Sequence, residues 1–278
     1  MFEESVIPLD KWVSEFVDML VYNYRDVFQT LKWPIEQILN GLDSSLNAVH
    51  PLLIIAVIGM IAWKFSGVRL AIFSVLAMLF TGLLGLWQES MTTLAMVISA
   101  VVVDVLIGVP LGILSSRSDR FEAFLRPVLD AMQTTPAFVY LVPVVMLFSI
   151  GTVAGVIATI IFSMPPIIRL TNLGIRQVHP ELIEATYAFG ATKRQVLWKV
   201  QIPLALTTIM AGLNQTIMLS LSMVVIASLI GAGGLGVPVF EGLNSLQVGL
   251  AGIGGLGIVL MAMVLDRITQ SLGSGKKS

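Results

Sequence analysis

Seven apolar stretches, near residues 49–65, 69–87, 91–115, 129–149, 152–172, 202–230 and 245–268, restrict this chain more than anything else in it. At about 20 residues per bilayer crossing, seven spans is the natural count. Inside lipid each backbone N–H and C=O must be bonded within the protein, so the spans are predicted to be helices. Only 12% of the 278 residues are charged and 56% are hydrophobic, which fits a polytopic membrane protein and not a soluble domain. The stretch 202–230 is over-long for a straight crossing and is expected to tilt or bend. Pro165-Pro166 is expected to kink the fifth span, and Pro136 and Pro143 the fourth.

Several classes of function are excluded or moved to other chains. There is no cysteine, so thiol chemistry and disulfides are absent. His50 and His179 stand far apart beside prolines and make no metal site, and no catalytic residue is predicted. A formal net charge of −1 argues against nucleic acid as a partner. No glycine-rich phosphate loop ending in Lys-Ser/Thr is present, so any use of ATP falls to another chain.

Basic residues fall at Lys64 and Arg69, at Arg117, Arg120 and Arg126, from Arg169 to Lys199, and at Arg267, Lys276 and Lys277. With seven spans drawn, all of these share one side. The opposite loops, around Glu89, 149–151 and 231–241, carry no Lys or Arg. The positive-inside rule then predicts a cytoplasmic C-terminus, an external N-terminus and a cytoplasmic 173–201 segment in a bacterial inner membrane. Residues 1–47 read as an amphipathic tail, with Leu9, Trp12, Val13, Phe16, Val17, Leu20, Tyr24 and Phe28 on one face. Trp33-Pro34 is predicted to end that helix and a weaker one to follow. The tail would lie on the membrane surface or brace the bundle.

Between the fifth and sixth spans lies a polar interruption, residues 180–203. Pro180 suits a first helical position, with Glu181 and Glu184 in or near the first turn, where the dipole favours acids. Gly190 suits a left-handed helix terminator, and Thr192 with Gln195 resembles a capping box. Two short helices outside the bilayer are therefore expected.

Glu184-Ala185-Thr186, Gly190, Val200, Ile202 and Pro203 resemble the EAA loop of ATP-binding-cassette (ABC) importer permeases. In that pattern Glu-Ala-Ala is followed by Gly after three residues, Ile after nine more, and then Leu-Pro one residue on. Val200, Ile202 and Thr186 are this chain's departures from it. The stretches Asp130–Tyr140, Phe162–Arg169, Leu221–Ser228 and Leu265–Gln270 are similar to the permeases of glycine betaine/proline betaine importers. That likeness covers about residues 91–270. It implies an all-α type I ABC importer (MetI-like) fold, with residues 48–90 as accessory spans and 271–278 as a cytoplasmic tail. It also implies a homodimer, two ATPase subunits that hold the ATP and Mg, and an extracytoplasmic substrate-binding protein. The chain itself would carry no cofactor, and the 180–203 loop would dock on the ATPase.

Polar residues inside the spans are expected either to line a path or to bond neighbouring helices. Gln133, Asn214, Gln215, Ser222 and Asp104 are the candidates for a translocation path, Ser222 falling two helical turns from Asn214 and Gln215. Asp104 is the ionisable group nearest a mid-span position. It admits a second function of another class, an ion-coupled secondary carrier for a small zwitterion or cation.

Overall fold

The structure, a computed structural model, describes residues 8–273. Lys276, Lys277 and most of the 271–278 tail lie outside the described residues, as do the first seven residues of the N-terminal tail.

The chain opens with α1 (Leu9–Ala48), 40 residues without interruption. The helix break expected at Trp33-Pro34 does not occur. Pro34 removes one backbone donor, but it sits on the exposed side of α1, where the freed carbonyl can be solvated. On the other side Phe28, Ile35, Leu42 and Leu46 pack against the bundle around Leu39, which is 2% exposed. The Phe28 ring meets Phe148 edge-on at 5.6 Å. The first half of α1 instead leaves Trp12, Phe16 and Tyr22 exposed. One half thus braces the bundle, and the other borders an apolar cleft lined by Val13, Val17, Phe138 and Val142.

α2 (Pro51–Ser66) starts at an N-cap, where His50 Nδ1 accepts the Leu52 N–H at 3.4 Å, and turns 109° from α1. Gly67 alone joins it to α3 (Val68–Leu83), making a tight hairpin. Among the described residues, α4 (Trp87–Arg117) is the first of four helices long and apolar enough to cross a membrane; the others are α7, the continuous run 193–230, and α12. Its start at Trp87 absorbs residues that hydropathy assigned to the loop.

The single fourth span expected over 129–149 is two helices, α5 (Asp119–Thr134) and α6 (Ala137–Phe148), bent by 100°. Pro136 disfavours the helical region for the residue before it, and Thr135 is extended. α5 is amphipathic, with an Arg126–Glu122 ion pair at 2.5 Å on its own surface. α7 (Thr152–Arg176) runs without interruption through Pro165 and Pro166. Then come α8 (Pro180–Ala188), α9 (Lys193–Val196), a π-helical turn over Leu197–Gln201, and α10 (Ile202–Ala227), extended by a 3₁₀ turn to Ile230. α11 (Gly236–Asn244) is short, and α12 (Val248–Gly273) closes the described chain. All seven predicted apolar stretches are helical, although two bent pairs and the 16-residue α3 replace an even set of spans.

α7 is the hub. A constant offset of 59 residues pairs it with α4: Asp104 with Ser163, then Gly108 with Ile167 and Gly112 with Thr171, so the two helices run parallel. Against α10 it runs the other way, with Gly155 beside Ala227, Gly212 beside Pro166 and Ile167, and Gly174 beside Ala205. Small residues at these crossings let the backbones approach closely, the usual basis of helix association in membranes.

Hydrogen bonds define two ends of the bundle. At one, Arg176 Nη2 donates to the Ser115 carbonyl at 2.8 Å, and Ser66 Oγ lies against Ser271 and the Arg267 carbonyl. At the other, the Gly151 N–H donates to the Ile230 carbonyl at 3.1 Å and the Leu235 N–H to Thr93 Oγ1 at 2.8 Å. The described basic residues that charge placed on one side cluster at the first end.

Gly112 gives a test of the α4–α7 contact. A Cβ there would lie 2.5 Å from Thr171 Cβ and 2.8 Å from the Ile168 carbonyl oxygen, whereas one at Gly252 meets nothing within 4 Å. Overpacking of this kind costs roughly 1–3 kcal/mol. Gly112→Ala should therefore lower the melting temperature of the detergent-solubilised protein by several degrees, and Gly252→Ala should leave it unchanged or raise it.

Candidate functional site

The polar interruption folds into a knuckle at the basic end of the bundle. Pro180 opens α8, with Glu181 in its first turn. Gly190 adopts φ +80° and ends the helix. Its N–H donates to the Tyr187 carbonyl at 2.8 Å, and the Ala191 N–H reaches back to the Thr186 carbonyl at 3.2 Å. That pair of bonds is a Schellman closure. The next turn is fixed by a complete capping box. Gln195 N–H donates to Thr192 Oγ1 at 3.3 Å and Thr192 N–H to Gln195 Oε1 at 2.8 Å. The extra hydroxyl of Thr186, where the EAA pattern has alanine, donates to the Leu182 carbonyl of its own helix at 2.5 Å. It adds polarity to the chain without leaving an unsatisfied group.

The two halves of the knuckle differ in attachment. Val196 and Leu197 are buried, and Leu197 and Ile202 join the apolar cluster of Ala205, Ile209 and Ile175 at this end of the bundle. α8 buries no residue at all. Glu184 and Ala185 are exposed, and so are Leu182, Tyr187 and Phe189, the last at 92%. An exposed apolar group of this kind on a short helix marks an interaction surface. Phe189 escaped the reading of the sequence. The signal was an aromatic residue directly before a helix-closing glycine, where the chain reverses and turns the side chain outward.

The expected separation between the second knuckle helix and the next span is absent. α9 passes through the π turn into α10, so Val200 lies inside that turn and Pro203 in the first turn of α10. Pro203 cannot donate to the Lys199 carbonyl. A π turn displaces the bonding pattern by one residue at that position and accommodates the missing donor.

The five path candidates separate into two groups. Gln133, Gln215 and Ser222 are on exposed faces. Gln215 and Ser222 share one stripe of α10 with Ala211, Met218 and Leu229. Asn214 turns the other way, into α12: its Nδ2 donates to Asp266 Oδ1 at 2.7 Å and its Oδ1 accepts from Thr269 at 2.7 Å. Gln270 donates to the same carboxylate at 2.8 Å. Asp104 is fully enclosed between α4 and α7, with Ser163 2.6 Å away. Among the described residues no group of three or more His, Asp or Glu could hold a metal ion.

A bundle of apolar helices with one exposed polar knuckle fits the importer permeases that the sequence resembles, and comparison with known proteins agrees. Residues 108–275, more than half of the chain, match the family described as binding-protein-dependent transport system inner membrane component. The chain belongs to that family, the inner-membrane permeases of ABC importers, and not to the ion-coupled carriers. It is 53% identical over 277 residues to the glycine betaine/proline betaine transport system permease protein ProW of Escherichia coli (strain K12), covering all of this chain and 78% of that protein. It is 45% identical over 276 residues to the glycine betaine/carnitine transport permease protein GbuB of Listeria monocytogenes serotype 1/2a (strain 10403S), covering 98% of each. Glycine betaine transport system permease protein OpuAB of Bacillus subtilis (strain 168) shares 43% over 272 residues, covering 98% of this chain and 96% of that one. The fold resembles that seen in the inward-facing MetNI methionine ABC transporter, with a TM-score of 0.56 at 24% identity over 66% of this chain and 89% of that one.

Gly190 sets the shape of the exposed half, and its strain is purely conformational because a Cβ there meets nothing within 4 Å. Any other residue at this φ costs about 1 kcal/mol or more. In Gly190→Val the amides of residues 190 and 191 should exchange with deuterium at least about fivefold faster than in the parent, from that same penalty. Exchange in α7 and α10 should not change.

Proposed function

We propose that this chain forms one half of a homodimeric channel through which a glycine betaine- or proline betaine-type osmoprotectant enters the cell. Two ATPase subunits bind the ATP and Mg, and an extracytoplasmic binding protein delivers the solute. The observation that carries the reading is α8, a nine-residue helix capped at its C-terminal end, burying nothing and presenting Glu184, Tyr187 and Phe189 outward. A helix this short is marginal on its own, and its exposed apolar residues need a second protein to cover them. The relatives' glycine betaine, proline betaine and carnitine transport supports the class of solute.

In this reading ATP binding closes the ATPase pair, and that movement reaches the bundle through the knuckle. Force passes from exposed α8 to the anchored Val196 and Leu197, and then along α10 without a break. The ATPase must contact the two states differently, because equal contact shifts no equilibrium. The stripe of Gln215 and Ser222, with Gln133, faces the path and the second copy. Polar side chains are poorly tolerated against lipid, which supports that placement. Uncharged donors and acceptors also suit a solute that carries both a cation and a carboxylate and has no net charge. The basic end of the bundle is cytoplasmic, in keeping with the charge asymmetry.

Two variants test the coupling role. Glu184→Lys reverses a charge at the midpoint of α8 on its exposed face, and Phe189→Asp replaces the exposed ring with a charge. Both should insert and express as the parent does. Both should lose co-purification of the ATPase subunit and stimulation of its hydrolysis. Normal retention of the ATPase in both would remove 181–203 as the coupling element. Orientation is tested in the cysteine-free background: Leu246→Cys should react with an impermeant thiol reagent in intact cells, and Thr192→Cys only after permeabilisation.

A further inference from the structure

Asp104 has no role in the proposed transport path, yet it sits completely enclosed near the middle of α4. No cation answers it: none of the ion pairs among the described residues includes it. Its one hydrogen-bond partner among the described residues is Ser163, and the contacts of that hydroxyl do not balance if Asp104 is a carboxylate. Ser163 Oγ lies 2.7 Å from the Thr159 carbonyl oxygen and 2.6 Å from Asp104 Oδ2. A serine hydroxyl has one proton to donate. If it goes to Asp104, the Thr159 contact sets two lone pairs against each other. If it goes to Thr159, the proton in the shorter contact must come from Asp104. The other carboxyl oxygen, Oδ1, has no partner and no exposure. An ionised group would leave half its charge there without a donor, which is far more costly than leaving a neutral carbonyl.

We propose that Asp104 is held in the core as a neutral carboxylic acid that donates its proton to Ser163, which in turn donates to the Thr159 carbonyl. The result is a directed relay, from the Asp104 O–H to the Ser163 O–H to the backbone of α7, that bolts α4 to α7 at a fixed register. It opens the series that pairs Gly108 with Ile167 and Gly112 with Thr171 one and two turns further on. Asp104 is thus a positioning residue. In this state it offers no negative charge to a sodium ion or to the ammonium of a passing solute. The proposal rests on the helix geometry alone and is independent of the transport reading.

Infrared difference spectroscopy of the purified protein in lipid at neutral pH tests it. Subtracting Asp104→Asn from the parent should reveal the loss of a protonated-carboxyl C=O stretch and no loss of carboxylate bands. Ser163→Ala should keep that stretch and shift it to higher frequency, because the acid loses its acceptor. The amide of Asp104→Asn can still donate to Ser163, so that variant should melt with the parent, and Asp104→Ala should melt lower. Loss of carboxylate bands in Asp104→Asn, or a stretch unmoved by Ser163→Ala, overturns the relay. So does a melting temperature for Asp104→Asn as low as that of Asp104→Ala.

Discussion

Close backbone approach along α7 is the contact on which the rest of the bundle depends. Gly108 and Gly112 let α4 lie against it in parallel register, and Gly212 and Gly174 let α10 lie against it in the opposite sense. In lipid there is little hydrophobic gain from pairing two apolar helices, so dispersion contacts at short range and a few hydrogen bonds must hold the assembly. α4 and α7 share the Asp104–Ser163 contact, and α10 and α12 share Asn214 with Asp266 and Thr269. These fixed registers join the two ends of the bundle.

The knuckle extends that fixed packing beyond the membrane and also limits it. Val196 and Leu197 are packed into the bundle, whereas α8 is held chiefly by its terminal bonds at Gly190 and Ala191 and by the capping box that follows. The design separates a face that can be gripped from a root that does not slip. The π turn at Leu197–Gln201 begins at this root and allows Pro203 to enter α10 without breaking the run from 193 to 230. Phe189 stands at the outermost corner of this face.

The sequence disclosed features that depend on local chemistry. Pro180, Gly190 and the Thr192–Gln195 box each specify a helix end through their own backbone or side-chain bonding, and the structure shows all three where they were expected. Apolar length and basic clustering likewise gave the helices and the two ends of the bundle. Features decided by tertiary contact were hidden. Pro34 reads as a breaker until Leu39 and its neighbours are seen to pack α1 against the bundle as one continuous helix. The bend at Thr135–Pro136 divides a stretch that hydropathy takes as one span. Asn214 and Gln215 are adjacent in sequence and alike in polarity, yet one is turned into α12 and the other outward, because one residue on a helix is a rotation of about 100°.

Coupling through the knuckle would make this bundle an ATP-driven importer. Its most direct test is uptake by vesicles in which the permease is reconstituted with its ATPase subunits, the binding protein being supplied on the face opposite the knuckle. With ATP and Mg on the knuckle side and no ion gradient, labelled glycine betaine or proline betaine should accumulate across the membrane. With ATP withheld and a sodium or proton gradient imposed, it should not. Accumulation driven by the gradient without ATP would contradict the account.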